Sequence, residues 1–134
     1  MTEQLKKFVL AQKKDKVETV ETYYKKRMRK GIKLKAMFSD EEKSLKRFRN
    51  YEIEDLGQDG TVYLKNDKRK LLSFPPDEVY KTFNIEKNDR RMLVGEMLCK
   101  GYHTYEIAII LKVSTQIISR DISILKEMYE ARNI

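Results

Sequence analysis

Four polar side chains towards the C-terminal end of this sequence have the chemistry to read a nucleic acid. Gln116 can make two hydrogen bonds to an adenine and Arg120 two to a guanine, while the methyl group of Thr115 can contact a thymine. Ser119 adds a hydroxyl that discriminates less between bases. Apolar residues lie between these positions at helical spacing, so the pattern predicts a helix over residues 114–126 with the polar side chains facing outward.

Two further helices are predicted before this one. A support helix is expected over residues 88–100, and a second helix begins at Thr104, a residue suited to an N-cap. Between the last two helices, Lys112 forms a left-handed bend, Val113 an apolar anchor and Ser114 the next N-cap. The expected core of this three-helix unit consists of Leu93, Ala108, Leu111, Val113, Ile118, Ile122 and Leu125.

Residues 101–125 resemble the helix-turn-helix of bacterial and phage DNA-binding proteins, where a small residue, here Ala108, lets the two helices cross closely. Residues 113–120 are similar to the Val-Ser-x-Gln-x-Val-Ser-Arg recognition helix of lac-repressor-type regulators. Residues 118–122 resemble the Ile-Arg-Arg-Asp-Leu of DeoR-type winged helices, and the spacing of Gly, Thr, Arg and Leu-Lys resembles the Trp-repressor-like group. Lys112 departs from the glycine usual at the turn. The resemblance implies that bases are read by Thr115, Gln116 and Arg120, and more weakly by Ser119.

The same residues also fit an ordinary helical hairpin whose Ser, Thr and Gln side chains face solvent. The succession of cap, turn and cap, the small Ala108 and the short hydrogen-bonding side chains of the last helix favour the helix-turn-helix. Nine residues follow Leu125, so we expect no wing after the recognition helix.

The charge of the chain is strongly uneven. Its 134 residues carry a formal net charge of +8, with 40% hydrophobic residues, enough for one core. The first 50 residues hold 16 Lys and Arg against 7 Asp and Glu, and the remaining residues hold 13 against 14. Such an excess indicates a polyanionic partner, either nucleic acid or an acidic membrane surface, although many solvated helices are basic.

The excess is densest in residues 23–38, which hold seven cations and no acid. This run could follow a DNA backbone, or it could be a solvated helix end whose cations complement the helix dipole. Tyr23 and Tyr24 could stack on bases, but the core is favoured for both. The predicted backbone contacts, here and around the helix-turn-helix, are Lys25, Lys26, Arg27, Arg29, Lys30, His103, Thr104, Lys112 and Ser114.

The rest of the chain predicts a mainly α fold. One or two helices are expected over residues 2–28, and the capping box Ser39-Asp40-Glu41-Glu42 predicts another over 40–51. Residues 61–64 and 71–74 flank a turn and predict a β-hairpin, followed after Pro75-Pro76 by helical turns over 77–83. We therefore expect a basic helical region (1–56), a β-hairpin or linker (57–76) and a C-terminal tri-helical helix-turn-helix domain (77–134).

No catalytic, metal or cofactor site is predicted. Cys99 and His103 are the only residues of their kinds, so one chain has neither a disulfide framework nor a zinc site of the Cys/His type. The paired carboxylates, such as Glu52 and Glu54, lack a nucleophile, a phosphate loop or metal-ligand spacing around them. Neither a membrane span nor a signal peptide is visible, so the expected compartment is the cytosol.

These observations favour a sequence-specific double-stranded DNA-binding protein, a phage, plasmid or bacterial transcriptional regulator that acts as a homodimer because one short helix reads few base pairs. The first alternative is a component of a nucleoprotein assembly for segregation, packaging or recombination. The second is an adaptor similar to sigma region four, whose basic arm would contact RNA polymerase.

Overall fold

The computed structural model describes residues 19–132. They form two compact units, one of residues 24–89 and the other of residues 19–23 together with 90–132. We call the first the sheet unit and the second the helical unit. The domain limits expected from the sequence stay predictions.

The sheet unit is built on five antiparallel strands, β1 (Lys33–Ala36), β2 (Asn50–Leu56), β3 (Val62–Lys65), β4 (Leu71–Phe74) and β5 (Phe83–Ile85). Their order in the sheet is β4-β3-β2-β1-β5. Buried residues alternate with exposed or half-buried ones along β1 and β3, as expected for strands with one face on a core. The helix α2 (Pro76–Thr82) follows β4 and begins with a proline, whose missing N–H is not needed in the first turn.

Tyr24 occupies the core of the sheet unit. Its ring meets that of Tyr80 edge to face at 5.2 Å, and its hydroxyl donates a 2.8 Å hydrogen bond to the backbone carbonyl of Phe83. Burial, with a smaller contribution from Tyr80, raises the pKa of Tyr24 well above its ordinary value. The expectation that Tyr23 and Tyr24 belong to the core is confirmed.

The expected mainly α class is wrong, because the five-stranded sheet makes this an α+β fold. The basic run conceals the first strand: Leu34 and Ala36 are buried and Lys33 and Lys35 alternate with them, a period of two. In the sequence alone, the many cations of the run outweigh this short alternation and favour a helix end.

The helix expected over residues 40–51 is also wrong, since a loop with one isolated bridge stands there and β2 begins at Asn50. The supposed capping residues close turns instead. The Asp40 carboxylate accepts the backbone N–H groups of Glu42 and Lys43, and the Ser39 hydroxyl accepts that of Arg47. Such side chains serve turns as well as helix starts, and Leu45 is the only buried apolar residue in the loop.

Several elements are confirmed. The hairpin is present as β3 and β4, with Tyr63 opposite Ser73, although it is part of the larger sheet. In the chain, α1 (Val20–Lys25) follows Thr19, whose hydroxyl accepts the backbone N–H of Thr22. The part of the N-terminal helical expectation before residue 19 lies outside the described residues. The three C-terminal helices are α3 (Lys87–Cys99), α4 (Thr104–Leu111) and α5 (Thr115–Arg132).

The helical unit buries apolar residues from each of these helices. Ala108 is 4% exposed, as its expected place between two helices requires. Val113, Ile122 and Leu125 were expected in this core but are only half-buried. The most deeply buried apolar residues of this unit are Tyr23, Leu93, Val94, Ile107, Ile110, Leu111 and Ile118.

Candidate nucleic-acid interface

The turn between α4 and α5 is formed by Lys112 in the left-handed conformation, at φ 61° and ψ 41°. The backbone N–H groups of Lys112 and Val113 donate to the carbonyls of Ile109 and Ala108, so the final turn of α4 is closed by a Schellman motif. A lysine in this conformation is strained by about 1 kcal/mol because its Cβ crowds the carbonyl oxygen. The left-handed bend expected from the sequence is present.

Lys112 is half-buried in this turn. Burial disfavours the charged ammonium and lowers its pKa to about 8. Lys112 is thus less readily charged than an exposed lysine, and its predicted contact with the DNA backbone stays a prediction.

The polar face of α5 is presented as the sequence predicts. Ser114 caps the helix, its hydroxyl accepting the backbone N–H of Ile117 at 3.2 Å. The first turns of α5 then carry a group that we call the reading face, and all its members are exposed: Thr115, Gln116, Ser119 and Arg120. Relative to the buried Ile118, the helical period places Gln116 and Arg120 on the opposite side.

The rotation of α5 is held by a buried ion pair that sequence reasoning missed. The Asp121 side chain is fully buried and accepts three hydrogen bonds. Arg90 donates two of them, from Nε at 2.7 Å and Nη2 at 2.9 Å, and Arg91 donates the third from Nε at 3.1 Å. Since Asp121 follows Arg120 directly, this pairing fixes the part of α5 that presents the reading face.

Desolvation by itself raises the pKa of the Asp121 carboxyl, but hydrogen bonds from Arg90 and Arg91 outweigh it and bring the pKa below its ordinary value. The carboxylate is therefore charged at neutral pH. The only sequence signal was an acid on the apolar side of α5, between Ile118 and Ile122, together with two adjacent arginines 30 and 31 residues earlier.

The start of α4 differs in detail from the expectation. His103, not Thr104, is the N-cap, and its backbone N–H donates to the buried carboxylate of Glu106 at 2.8 Å. The His103 ring is stacked on that of Tyr105, with centroids 5.6 Å apart. His103 is exposed and Thr104 half-buried, so both of these predicted backbone contacts lie at one helix N-terminus.

The five predicted cations of the basic run lie in the sheet unit, where the chain turns from the end of α1 towards β1. Lys26, Arg29 and Lys30 are exposed and Arg27 is half-buried. Lys25 forms an ion pair with Asp77, with 2.6 Å between Nζ and Oδ1. The backbone contacts expected from the sequence are thus divided between two units, whereas the reading face lies wholly in the helical unit.

Comparison of the chain with protein-family models, curated proteins and solved structures gave no match. Among residues 19–132, no group of three or more His, Cys, Asp or Glu side chains could hold a metal ion. In the same part of the chain, no helix has the length and apolar content needed to cross a membrane.

Proposed function

We propose that this protein binds double-stranded DNA sequence-specifically through α5 and acts as a cytosolic transcriptional regulator of a phage, plasmid or bacterium, without a catalytic role. The observation that carries the proposal is the reading face, four exposed hydrogen-bonding side chains on the first turns of a helix. The amide of Gln116 and the guanidinium of Arg120 match adenine and guanine edges in the major groove.

The rigidity of the support favours reading over simple exposure to solvent. The Schellman turn at Lys112, the Ser114 cap and the buried Asp121 ion pair fix both the start and the rotation of α5. Base recognition needs such positioning because bidentate hydrogen bonds tolerate little misalignment.

A homodimer follows from the small size of the reading face. One helix end contacts only a few base pairs, and a two-fold pair doubles the site to the length that operators require. The basic run supplies further phosphate contacts, which raise affinity without selecting a sequence.

Selection from a random duplex library at one stated salt concentration tests this proposal. We expect one enriched sequence with two-fold symmetry, bound by two chains. Gln116→Ala and Arg120→Ala should each weaken binding to the enriched sequence by about 1 to 3 kcal/mol. Both should change binding to a scrambled duplex little. Arg132→Ala removes the same charge from an exposed position at the far end of α5 and serves as the matched control.

Equal losses on the selected and scrambled duplexes would show that the reading face touches only the DNA backbone. Absence of any enriched sequence would refute specific recognition. Cooperative coating of the duplex, in place of two chains per site, would refute the regulator in favour of a nucleoprotein-assembly protein.

A further inference from the structure

A basic cleft lies in the sheet unit between two loops. The first loop connects β1 to β2, and the second is the tip of the β3–β4 hairpin. The cleft has a volume of about 360 Å³. Four of its lining residues are cations, Lys46 and Arg49 from the first loop and Lys68 and Lys70 from the second. Glu41 and Asp67 are its lining acids, so its walls carry an excess of positive charge.

Hydrogen bonds across the cleft hold its two walls together. The Lys70 ammonium donates to the Ser44 hydroxyl at 3.0 Å, and the Arg49 guanidinium pairs with Asp67 at 2.8 Å. Beneath the first loop, the hydroxyl of Tyr51 accepts the backbone N–H of Lys46 at 2.9 Å. The cations are therefore carried on a preformed surface of the sheet, which reduces the entropy lost when a ligand binds.

Three of the four lining cations have no acidic partner among the described residues. No ion pair within residues 19–132 involves Lys46, Lys68 or Lys70, although the Lys70 ammonium is bonded to the Ser44 hydroxyl. The pair between Arg49 and Asp67 is well exposed on both sides and can exchange its partners easily. The cleft therefore has positive charge available for an external anion.

Phe48 stands in the first loop between two of these lining residues, Lys46 and Arg49. Its ring is 57% exposed, and the Arg47 guanidinium lies 4.5 Å from the ring centroid. Its backbone is left-handed at φ 69°, a conformation strained for an aromatic residue, and is held there by a 2.7 Å hydrogen bond from its N–H to the Ala36 carbonyl. Neither burial nor backbone preference explains a phenylalanine at this position.

We propose that this cleft and Phe48 together bind single-stranded nucleic acid, with the cations on successive phosphates and the Phe48 ring stacked on a base. Phe48 does not itself line the cleft, but its loop neighbours Lys46 and Arg49 do. Single strands are bound by exposed aromatics combined with basic grooves, because every unpaired base offers a stacking face. A duplex fits less well, since its bases are already stacked on one another. The inference is independent of the proposed reading of duplex DNA by α5.

The experiment uses the full chain carrying Gln116→Ala and Arg120→Ala, so that the reading face does not contribute. The chain contains no tryptophan, and Phe48→Trp therefore introduces a single fluorescent reporter into the loop. We expect oligothymidylate or oligouridylate to quench this tryptophan, and comparison of the two shows which sugar is preferred. Inorganic polyphosphate is the probe for charge alone and should leave the fluorescence unchanged.

Phe48→Gly removes the ring at a position where the left-handed backbone suits glycine, so the loop should fold at least as well. We expect this variant to bind the oligonucleotides about 10-fold more weakly and to bind polyphosphate normally. Urea unfolding verifies that the variant is folded.

The double variant Lys46→Gln, Lys68→Gln tests the cations of the cleft. For oligonucleotide binding, the slope of log affinity against log salt concentration should flatten by about 0.7 for each phosphate that is no longer neutralised. Lys81→Gln with Lys87→Gln is the matched control, because these exposed lysines belong to the same unit and do not line the cleft.

Three results would overturn the inference. Unchanged oligonucleotide binding by Phe48→Gly excludes stacking, and equal effects of the two lysine pairs exclude the cleft. If polyphosphate bound as tightly as the oligonucleotides and the oligonucleotides did not quench the tryptophan of Phe48→Trp, the cleft would be a simple anion site. Loss of duplex specificity in the Gln116→Ala and Arg120→Ala variants tests the reading face separately and has no bearing on these outcomes.

Discussion

Replacing Asp121 with asparagine should strongly destabilise the helical unit. The carboxylate accepts three hydrogen bonds from two arginines, whereas an amide keeps one acceptor oxygen and turns an NH2 group towards the guanidinium donors. Loss of one partner from a buried ion pair costs about 3 to 5 kcal/mol. The lower end applies here because Arg90 and Arg91 remain 15% and 22% exposed and can recover water.

Urea unfolding followed by far-UV circular dichroism measures this loss, expected at about 3 kcal/mol. Hydrogen exchange assigns it to the helical unit, where amides of α4 and α5 that exchange through global opening should exchange about 100-fold faster. Glu130→Gln, an exposed acid-to-amide change on the same helix, should be nearly neutral.

The pH dependence provides a second test of the same ion pair. The pKa of Asp121 is lowered in the folded protein, so its stabilisation is present above the unfolded pKa of about 4 and is lost as pH falls through the folded value. Wild type and Asp121→Asn should therefore converge in strong acid. The reasoning would be refuted if Asp121→Asn lowered the free energy of unfolding by less than about 1 kcal/mol at neutral pH. It would also be refuted if the difference in stability between the two proteins did not change with pH.

Three further predictions concern the turn, the helix crossing and the basic run. Ala108→Leu should cost about 1 to 3 kcal/mol by overpacking and should weaken duplex binding, as measured by urea unfolding and titration; unchanged values would refute the helix-turn-helix assignment. Lys112→Gly should stabilise the fold by about 1 kcal/mol because it relieves the left-handed strain. It should also remove the cost of burying a charged ammonium, a gain in stability that is largest below pH 8. Because the lysine pKa is lowered, wild-type stability rises between pH 8 and the ordinary value of 10.5, and unfolding curves across that range should show the gain shrinking. In the basic run, glutamine should replace Lys25, Lys26, Arg27 and Arg29. The slope of log duplex affinity against log salt concentration should then flatten by about 0.9 for each phosphate that is no longer neutralised. An unchanged slope would show that the run does not contact the DNA.

Local sequence determined much of the helical unit. The apolar spacing of α4, the left-handed turn at Lys112 and the Ser114 cap depend on interactions within a few residues, so periodicity and capping rules found them. The exposure of Gln116 and Arg120 follows from the same periodicity, because the buried Ile118 lies on the opposite side of α5. The hairpin of β3 and β4 was equally visible, since both its strands flank one turn.

Tertiary structure alone decided the sheet and the interactions that hold the sites. β1 pairs with β2 and with β5, so its strand conformation depends on partners up to about 50 residues away, which no local pattern in the basic run reveals. Asp121 is charged and buried because α3 brings two arginines to it. The basic cleft exists because antiparallel pairing places the loop before β2 beside the hairpin tip after β3. Pairings between distant segments form only when the intervening chain folds back and brings the segments together. In the sequence, the charged residues of these segments therefore look like ordinary surface charges.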